Sequence, residues 1–272
     1  MSPATDAPTD HQTLTYDAAD HVATITLNRP EVYNAFSDQL TTELADALKN
    51  AARDNDVRVL IITGAGKAFS SGQDLGELKE RYQPGYVPEL SKDLRKRYNP
   101  IIEAIATMPK PVIAAVNGVA AGAGCSLALA CDMRIASDKA SFTEVFVNVG
   151  LIPDSGSTYF LPRLVGHARA MELCCTGRKV DAEEAERIGL VNRIVPADEL
   201  MDETRKLAGT MAALPGRAIA LTKRLLNQSM TNDLSDQLEA EAFDQETAGK
   251  SEDHMEGVTA FLEKRKPTFT GK

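Results

Sequence analysis

Apolar and polar residues alternate from His21 to Asn28, where Val22, Ile25 and Leu27 sit among smaller or polar neighbours, and the run stops at Asn28-Arg29-Pro30. That pattern predicts a strand followed by a turn. Ser37 then stands where it can cap a helix whose Leu40, Leu44 and Leu48 recur every fourth residue. Val57 to Thr63 is almost wholly apolar, as a strand covered on both faces must be. Pro111 introduces a second such run, Val112 to Val116. After it a loop from Gly118 to Gly124 leads into a helix-like stretch ending near Asp132, and Met133 to Ser137 reads as another short strand. Strands and helices alternating at this spacing predict an α/β fold around a parallel sheet. From Asp181 the pattern turns helical. Asp181 with Glu184 forms a capping box, Gly189 a stop and Val191 to Val195 a last strand, and three helical segments then run to Arg265, broken at Pro215 and at Asn232-Asp233.

At 272 residues the chain is long for one domain, which suggests a tail over 1–12, a core over 13–200 and a helical C-terminal region over 201–272. The net charge of −9 disfavours a surface that tracks phosphates, so nucleic acid is not an expected partner. The four cysteines, Cys125, Cys131, Cys174 and Cys175, form no C-x-x-C pair and read as small buried apolar residues in a reducing cytoplasm. No Lys or Arg occurs in the first 28 residues, so no signal or transit peptide is expected. Val112 to Cys131 is apolar enough to raise the question of a membrane span, but its Gly and Ala content argues against one.

Two glycine-containing loops follow predicted strands, Gly64 to Leu75 and Asn117 to Asp132. Glycines let a backbone approach a ligand closely, and a helix start after them turns free N–H groups toward negative charge. Either loop alone is equally well a tight turn. Gly122-x-Gly124 lacks the third glycine of a dinucleotide fingerprint, and Lys67 lacks the Ser or Thr that completes a phosphate loop. Asp154, in the stretch Gly150 to Gly166, is on position alone either a helix N-cap or a proton shuttle. Leu151, Ile152, Phe146 and Val147 around it would disfavour its charged form. His11, His21, His167 and His254 show no ligand spacing, so no metal is expected. No Ser or Cys lies in a nucleophile-elbow sequence.

Taken jointly, LNRPEVYNAFS, AFSSGQDL, PVIAAVNGVAAGAG, IPDSGST and FLEKRKPTF resemble the crotonase (enoyl-CoA hydratase/isomerase) superfamily from about Leu14 onward. RYNP at Arg97 to Pro100 and GLIPDSG resemble its branch of ring-epoxide isomerases acting in phenylacetyl-CoA breakdown. The resemblance implies a ββα spiral with a helical C-terminal region, assembled as a trimer or a dimer of trimers. Its substrate is an acyl-CoA, with CoA entering as part of that substrate and no separate cofactor.

The same resemblance implies an oxyanion hole made by the backbone N–H groups of Gln73 and Ala123, and Asp154 as acid/base. It places CoA along backbone near Ala68, Asp74 and Leu75, with Phe261 and Lys264 reaching it from a neighbouring subunit. For Lys264 the alternative is a charge that complements the helix end before Pro267. Hydratases of the family carry two glutamates where this chain has Ser126 and Phe146. Isomerisation of a ring epoxide or of a 3-enoyl-CoA is therefore the expected reaction. Glu144, two residues from the second lost glutamate, is either a shifted base facing the same way on a strand or an exposed loop charge. The rival readings are an enoyl-CoA hydratase, a non-catalytic RNA-binding protein on the same fold, and a nicotinamide dehydrogenase. Specificity is expected in Glu77 to Leu94, which contains Tyr82 and Tyr86.

Overall fold

The computed structural model describes residues 11–81 and 83–271, so most of the expected tail, and Tyr82, lie outside the described residues. A hairpin opens the chain: β1 (Leu14–Ala19) pairs antiparallel with β2 (Val22–Leu27). Asp20 and His21 turn between them with φ of 51° and 65°, the left-handed pair a two-residue hairpin needs. β2 continues in parallel to β3 (Val59–Gly64), then β5 (Val112–Val116), β7 (Met133–Ser137) and β10 (Arg193–Val195), completing a six-stranded sheet. A second, four-stranded sheet is formed by β4 (Ala68–Ser70), β6 (Val119–Ala121), β8 (Ser141–Thr143) and β9 (Val180–Asp181).

Each of β3, β5 and β7 is followed within a few residues by a strand of the smaller sheet and then by helix, so the chain winds as a spiral of ββα turns. The corners are tight. A side chain at Gly64 would lie 2.2 Å from the Ala68 carbonyl oxygen, and one at Gly118 2.0 Å from that of Lys67, so only glycine fits there. The helices are α1 (Asp38–Arg53), α2 (Leu75–Arg81), α3 (Leu90–Asp93), α4 (Asn99–Thr107), α5 (Ala123–Ala130), α6 (Ser157–Val165), α7 (His167–Thr176) and α8 (Ala182–Arg187) in the core. α9 (Leu200–Ala212), α10 (Gly216–Gln228), α11 (Leu234–Gly249) and α12 (Glu252–Glu263) follow the last strand.

The apolar runs of β3 and β5 are continuous because both faces of the large sheet are covered. Leu60 and Ile62 enter the main core, which also takes Leu40, Leu44 and Leu48 of α1. Val59 and Ile61 point the other way, against Leu200, Ala208 and Ala212 of α9. α9 therefore covers the second face of the large sheet. α10 is docked by buried Lys223, whose Nζ donates to the Ile105 carbonyl at 2.7 Å and to Asp132 Oδ2 at 2.7 Å. The chain end is tied back by Arg58, which donates to the carbonyls of Ala212, Phe269 and Thr270.

Several expectations are corrected. β1 was not read from the pattern, and the strands of the second sheet, two or three residues long, leave no period to read, so only the ββα spiral of the resemblance implied them. Four helices rather than three follow β10, because Ser251 accepts from the His254 amide at 3.1 Å and starts α12 anew. The Asp181 capping box is half formed: Asp181 accepts from the Glu184 amide at 2.8 Å, while the Glu184 carboxylate pairs with Arg178. Cys175 is exposed. The stretch Val112 to Cys131 is divided among β5, β6 and α5, and among the described residues no helix is long and apolar enough to cross a membrane.

Candidate active site

The first loop leaves β4 as Ser71-Gly72-Gln73-Asp74. The Phe36 amide donates to the Gly72 carbonyl at 2.7 Å and the Asp74 amide to the Phe36 carbonyl at 3.2 Å, a parallel bridge. In such a bridge alternate peptide groups face the partner, so the Gln73 N–H points away from Phe36. The Ala121–Ala123 segment lies against Gly72 in turn. A side chain at Gly72, where φ is +87°, would meet the Ala121 carbonyl oxygen at 2.7 Å and the Ala123 nitrogen at 3.1 Å.

In the second loop Gly122 has φ 51° and ψ −128°, a conformation closed to other residues, and its amide donates to the Thr143 carbonyl at 2.9 Å. α5 begins at Ala123, whose amide has no carbonyl one turn back inside the helix. The fold thus brings the Gln73 and Ala123 amides to adjoining positions, the second at the positive end of a helix.

Asp154 lies across Ser126 and Ser157 from Glu144. α6 starts only at Ser157, with Gly156 at φ 84° before it and no side-chain cap, so Asp154 is not the N-cap. Its carbonyl accepts from the Ser157 amide at 3.0 Å and the Ser126 hydroxyl at 3.1 Å, while its carboxyl accepts a 2.9 Å bond from the Ser155 hydroxyl. Burial raises its pKa, and the Ser155 bond partly offsets that. Val147, Leu151 and Ile152 are exposed, and only Phe146 turns inward.

Tyr98 is the residue that sequence reasoning missed, beyond the family likeness of RYNP. It ends a five-residue π-helical turn, Leu94–Tyr98, a distortion often found at functional sites. Its buried hydroxyl donates to the Gln73 Oε1 atom. Burial raises its pKa, and the nearby Asp154 charge adds to the rise, so the hydroxyl keeps its proton. Arg97, paired with Asp38 at 2.8 Å, lies over the Tyr98 ring at 5.3 Å.

Ser126 is fully buried, its hydroxyl engaged by the Gly122 carbonyl, the Asp154 carbonyl and Ser157. Phe146 is buried with its ring near Gly122. Glu144 is not an exposed loop charge: it is only 3% accessible. Nor does strand parity place it beside Phe146, because β8 ends at Thr143 and a 3-10 turn, Val145–Val149, follows. Its Oε1 accepts from the Ser157 hydroxyl at 2.9 Å, and it borders a small internal cavity with Cys125, Leu161, Leu173 and Leu190.

Burial pushes the Glu144 pKa up to about 7, with the Ser157 and Cys125 bonds opposing and the Asp154 charge adding. The folded protein then holds this proton across a window, from the ordinary 4.5 to about 7, in which the unfolded chain has released it. Stability contributed here is present at low pH and lost as pH rises through that window. Glu144→Gln is expected to remove this dependence and to exceed the parent in stability above pH 7 by about 2 kcal/mol. Urea unfolding of both proteins at acidic and alkaline pH checks this; parallel pH dependences would contradict it.

Of the residues carried over for CoA, Ala68 is buried, with its carbonyl accepting from Asn34 Nδ2 at 2.8 Å and Asn117 Nδ2 at 3.1 Å. Asp74 is also buried. Burial alone would raise its pKa, but the Arg29 guanidinium at 2.8 Å and the Gly76 and Glu77 amides hold it below its ordinary value. Leu75 is exposed at the start of α2, and Phe261 and Lys264 are exposed at the end of α12. Tyr86 is exposed in the segment expected to set specificity. Among the described residues no three His, Cys, Asp or Glu are grouped to hold a metal.

A ββα spiral that presents two adjoining backbone amides, one of them at a helix start, defines a class of enzyme that stabilises a developing oxyanion. Residues 17–272 match the enoyl-CoA hydratase/isomerase family, and the chain belongs to it. The chain is 45% identical over 251 residues to the 1,2-epoxyphenylacetyl-CoA isomerase of Escherichia coli K12, covering 92% of this chain and 95% of that one. It is 36% identical to the crotonyl-CoA hydratase of Syntrophomonas wolfei, covering 96% and 99%. The crystal structure of an enoyl-CoA hydratase from Bacillus anthracis superposes with a TM-score of 0.90 at 37% identity, covering 96% of this chain and 100% of that one. The fold is the crotonase fold, and the family is one of CoA-thioester enzymes.

Proposed function

We propose that the protein is an acyl-CoA isomerase in which the Gln73 and Ala123 amides hold the thioester oxygen and Asp154 moves the proton. The observation that carries this reading is the half-buried Asp154 carboxyl, whose charge reaches Tyr98, itself bonded to the Gln73 side chain, with Ser126 and Phe146 at the hydratase glutamate positions. Ser126 is engaged inside the core, and a phenyl ring neither binds nor deprotonates water. For a 3-enoyl-CoA, Asp154 takes a proton from C2 and the electron pair moves onto the thioester oxygen. Return of a proton at C4 leaves the double bond between C2 and C3. The likeness to an epoxyphenylacetyl-CoA isomerase favours the ring epoxide, converted to its oxepin, as the companion substrate. The test is an assay of the purified protein against epoxide, 3-enoyl and 2-enoyl thioesters. An enoyl-CoA hydratase remains the second reading, favoured by the crotonyl-CoA hydratase among the relatives.

CoA lies along the loop before α2, and the neighbouring copy of the chain in a trimer or dimer of trimers contributes Phe261 and Lys264. Supporting this is the apolar surface on α10 to α12, where Leu226, Leu234, Leu238, Phe243, Phe261 and Leu262 are exposed. Lys264→Ala is expected to raise KM about five-fold with a smaller change in kcat, an effect that shrinks as salt rises. Ending the chain before Ser251 should abolish the oligomer and weaken CoA binding together. Sedimentation and CoA titration of that shortened protein decide it, and survival of both properties sinks the idea.

A further inference from the structure

Behind the Asp154 loop, four oxygens follow one another from a buried carboxyl to a backbone carbonyl. Glu144 Oε1 is 2.9 Å from Ser157 Oγ, which is 2.8 Å from Ser126 Oγ, which is 3.1 Å from the Asp154 carbonyl oxygen. We propose that Glu144 is a positioning residue for Asp154, acting through the hydroxyl relay Ser157–Ser126, whose direction reverses when Glu144 gains or loses a proton.

Counting protons carries the inference, since a hydroxyl donates once. With Glu144 neutral and its proton on Oε1, the acid donates to Ser157, Ser157 to Ser126, and Ser126 to the Asp154 carbonyl. All three contacts are hydrogen bonds. With Glu144 ionised the carboxylate only accepts. Ser157 must donate to it, and Ser126 must donate to Ser157 for the 2.8 Å contact to remain a bond. The Asp154 carbonyl then keeps only the Ser157 amide. The peptide that loses its donor adjoins Ser155 at φ 50°, a conformation a serine holds only when its surroundings impose it. Ionisation of Glu144 therefore loosens the segment that aims the Asp154 carboxyl.

The groups facing Glu144 fit a neutral acid near neutrality. Cys125 of α5 and Cys174 of α7 have thiol pKa values raised mainly by burial, so both are uncharged. Arg178, bordering the same cavity, is already paired with Glu172 and Glu184. Asp154 is a like charge. None of these offers Glu144 a free cation.

The inference rests on Asp154 being the acid/base of the proposed reaction, and its test has an arm that does not. Asp154-Ser155 is the sole Asp-Ser pair in the sequence, so carbonyl-13C aspartate with 15N serine marks one peptide. In the parent protein that carbonyl resonance should titrate between about pH 6 and about pH 8.5, and in Glu144→Gln and Ser126→Ala it should not. An unmoved resonance in the parent overturns the relay even if the variants fail to fold. In the activity arm, parental kcat should fall about five-fold across that range, the scale of one hydrogen bond. Glu144→Gln should hold the higher rate throughout and Ser126→Ala the lower. A pH-dependent fall retained in Ser126→Ala would assign the effect to charge through space and overturn the relay. Loss of all turnover in Asp154→Asn, by contrast, speaks only to the reaction.

Discussion

Asp154→Asn should cut kcat for conversion of 3-enoyl-CoA to 2-enoyl-CoA by about a thousandfold while leaving thioester affinity within about two-fold. The amide keeps the size of the side chain and an oxygen for the Ser155 hydroxyl, so what is lost is the base. The variant should fold as the parent does, because the helix that follows bonds to the Asp154 backbone carbonyl and not to its carboxyl. In the parent protein the acid limb of the rate should lie above the usual aspartate range of about 4, since burial raises this pKa. Below that limb the carboxyl is protonated and cannot accept the C2 proton. Stopped-flow absorbance gives kcat, and calorimetry with a non-reactive thioester gives affinity. Near-normal turnover in a folded Asn variant would remove Asp154 from the mechanism.

What the sequence made legible follows from how each signal is encoded. Ser37, the leucines of α1 and the apolar runs of β3 and β5 are local patterns, and each element appears where its period or cap placed it. The strands of the second sheet left no local pattern because β4, β6 and β8 are three residues long and are defined by partners distant in sequence, Ala68 with Val119 and Val119 with Ser141. The two glycine loops were visible as loops, but only the contact of Gly72 with Ala121 and Ala123 makes them one site. Glu144 shows the limit most clearly. Parity suited a side chain facing the ligand, yet the strand ends one residue earlier and the chain turns that carboxyl into the core. Tyr98 lacked any local mark of function, since its role depends on a π-helical turn that aims it at Gln73.

Isomerisation and hydration of an enoyl thioester share the oxyanion hole and differ in what else they require. Adding water to a 2-enoyl-CoA needs one group to take a proton from water and another to protonate carbon, with the water held between them. Here the half-buried Asp154 carboxyl lies within electrostatic reach of Tyr98, Ser126 is committed to carbonyls and to Ser157, and Phe146 contributes a ring beside Gly122. Glu144 cannot replace the missing pair from its place behind Ser157, where its one bonded oxygen faces the core. Moving a double bond needs only the hole and one carboxyl that can both take and return a proton, which a raised pKa assists. We therefore expect 3-enoyl-CoA to 2-enoyl-CoA conversion to exceed hydration of 2-enoyl-CoA by at least about a hundredfold in kcat/KM, the scale of one lost acid/base group. Both rates are read on one enzyme preparation, the first from the rise of the conjugated thioester absorbance and the second from its decay. Comparable values would reject the isomerase reading in favour of a hydratase with an unforeseen base.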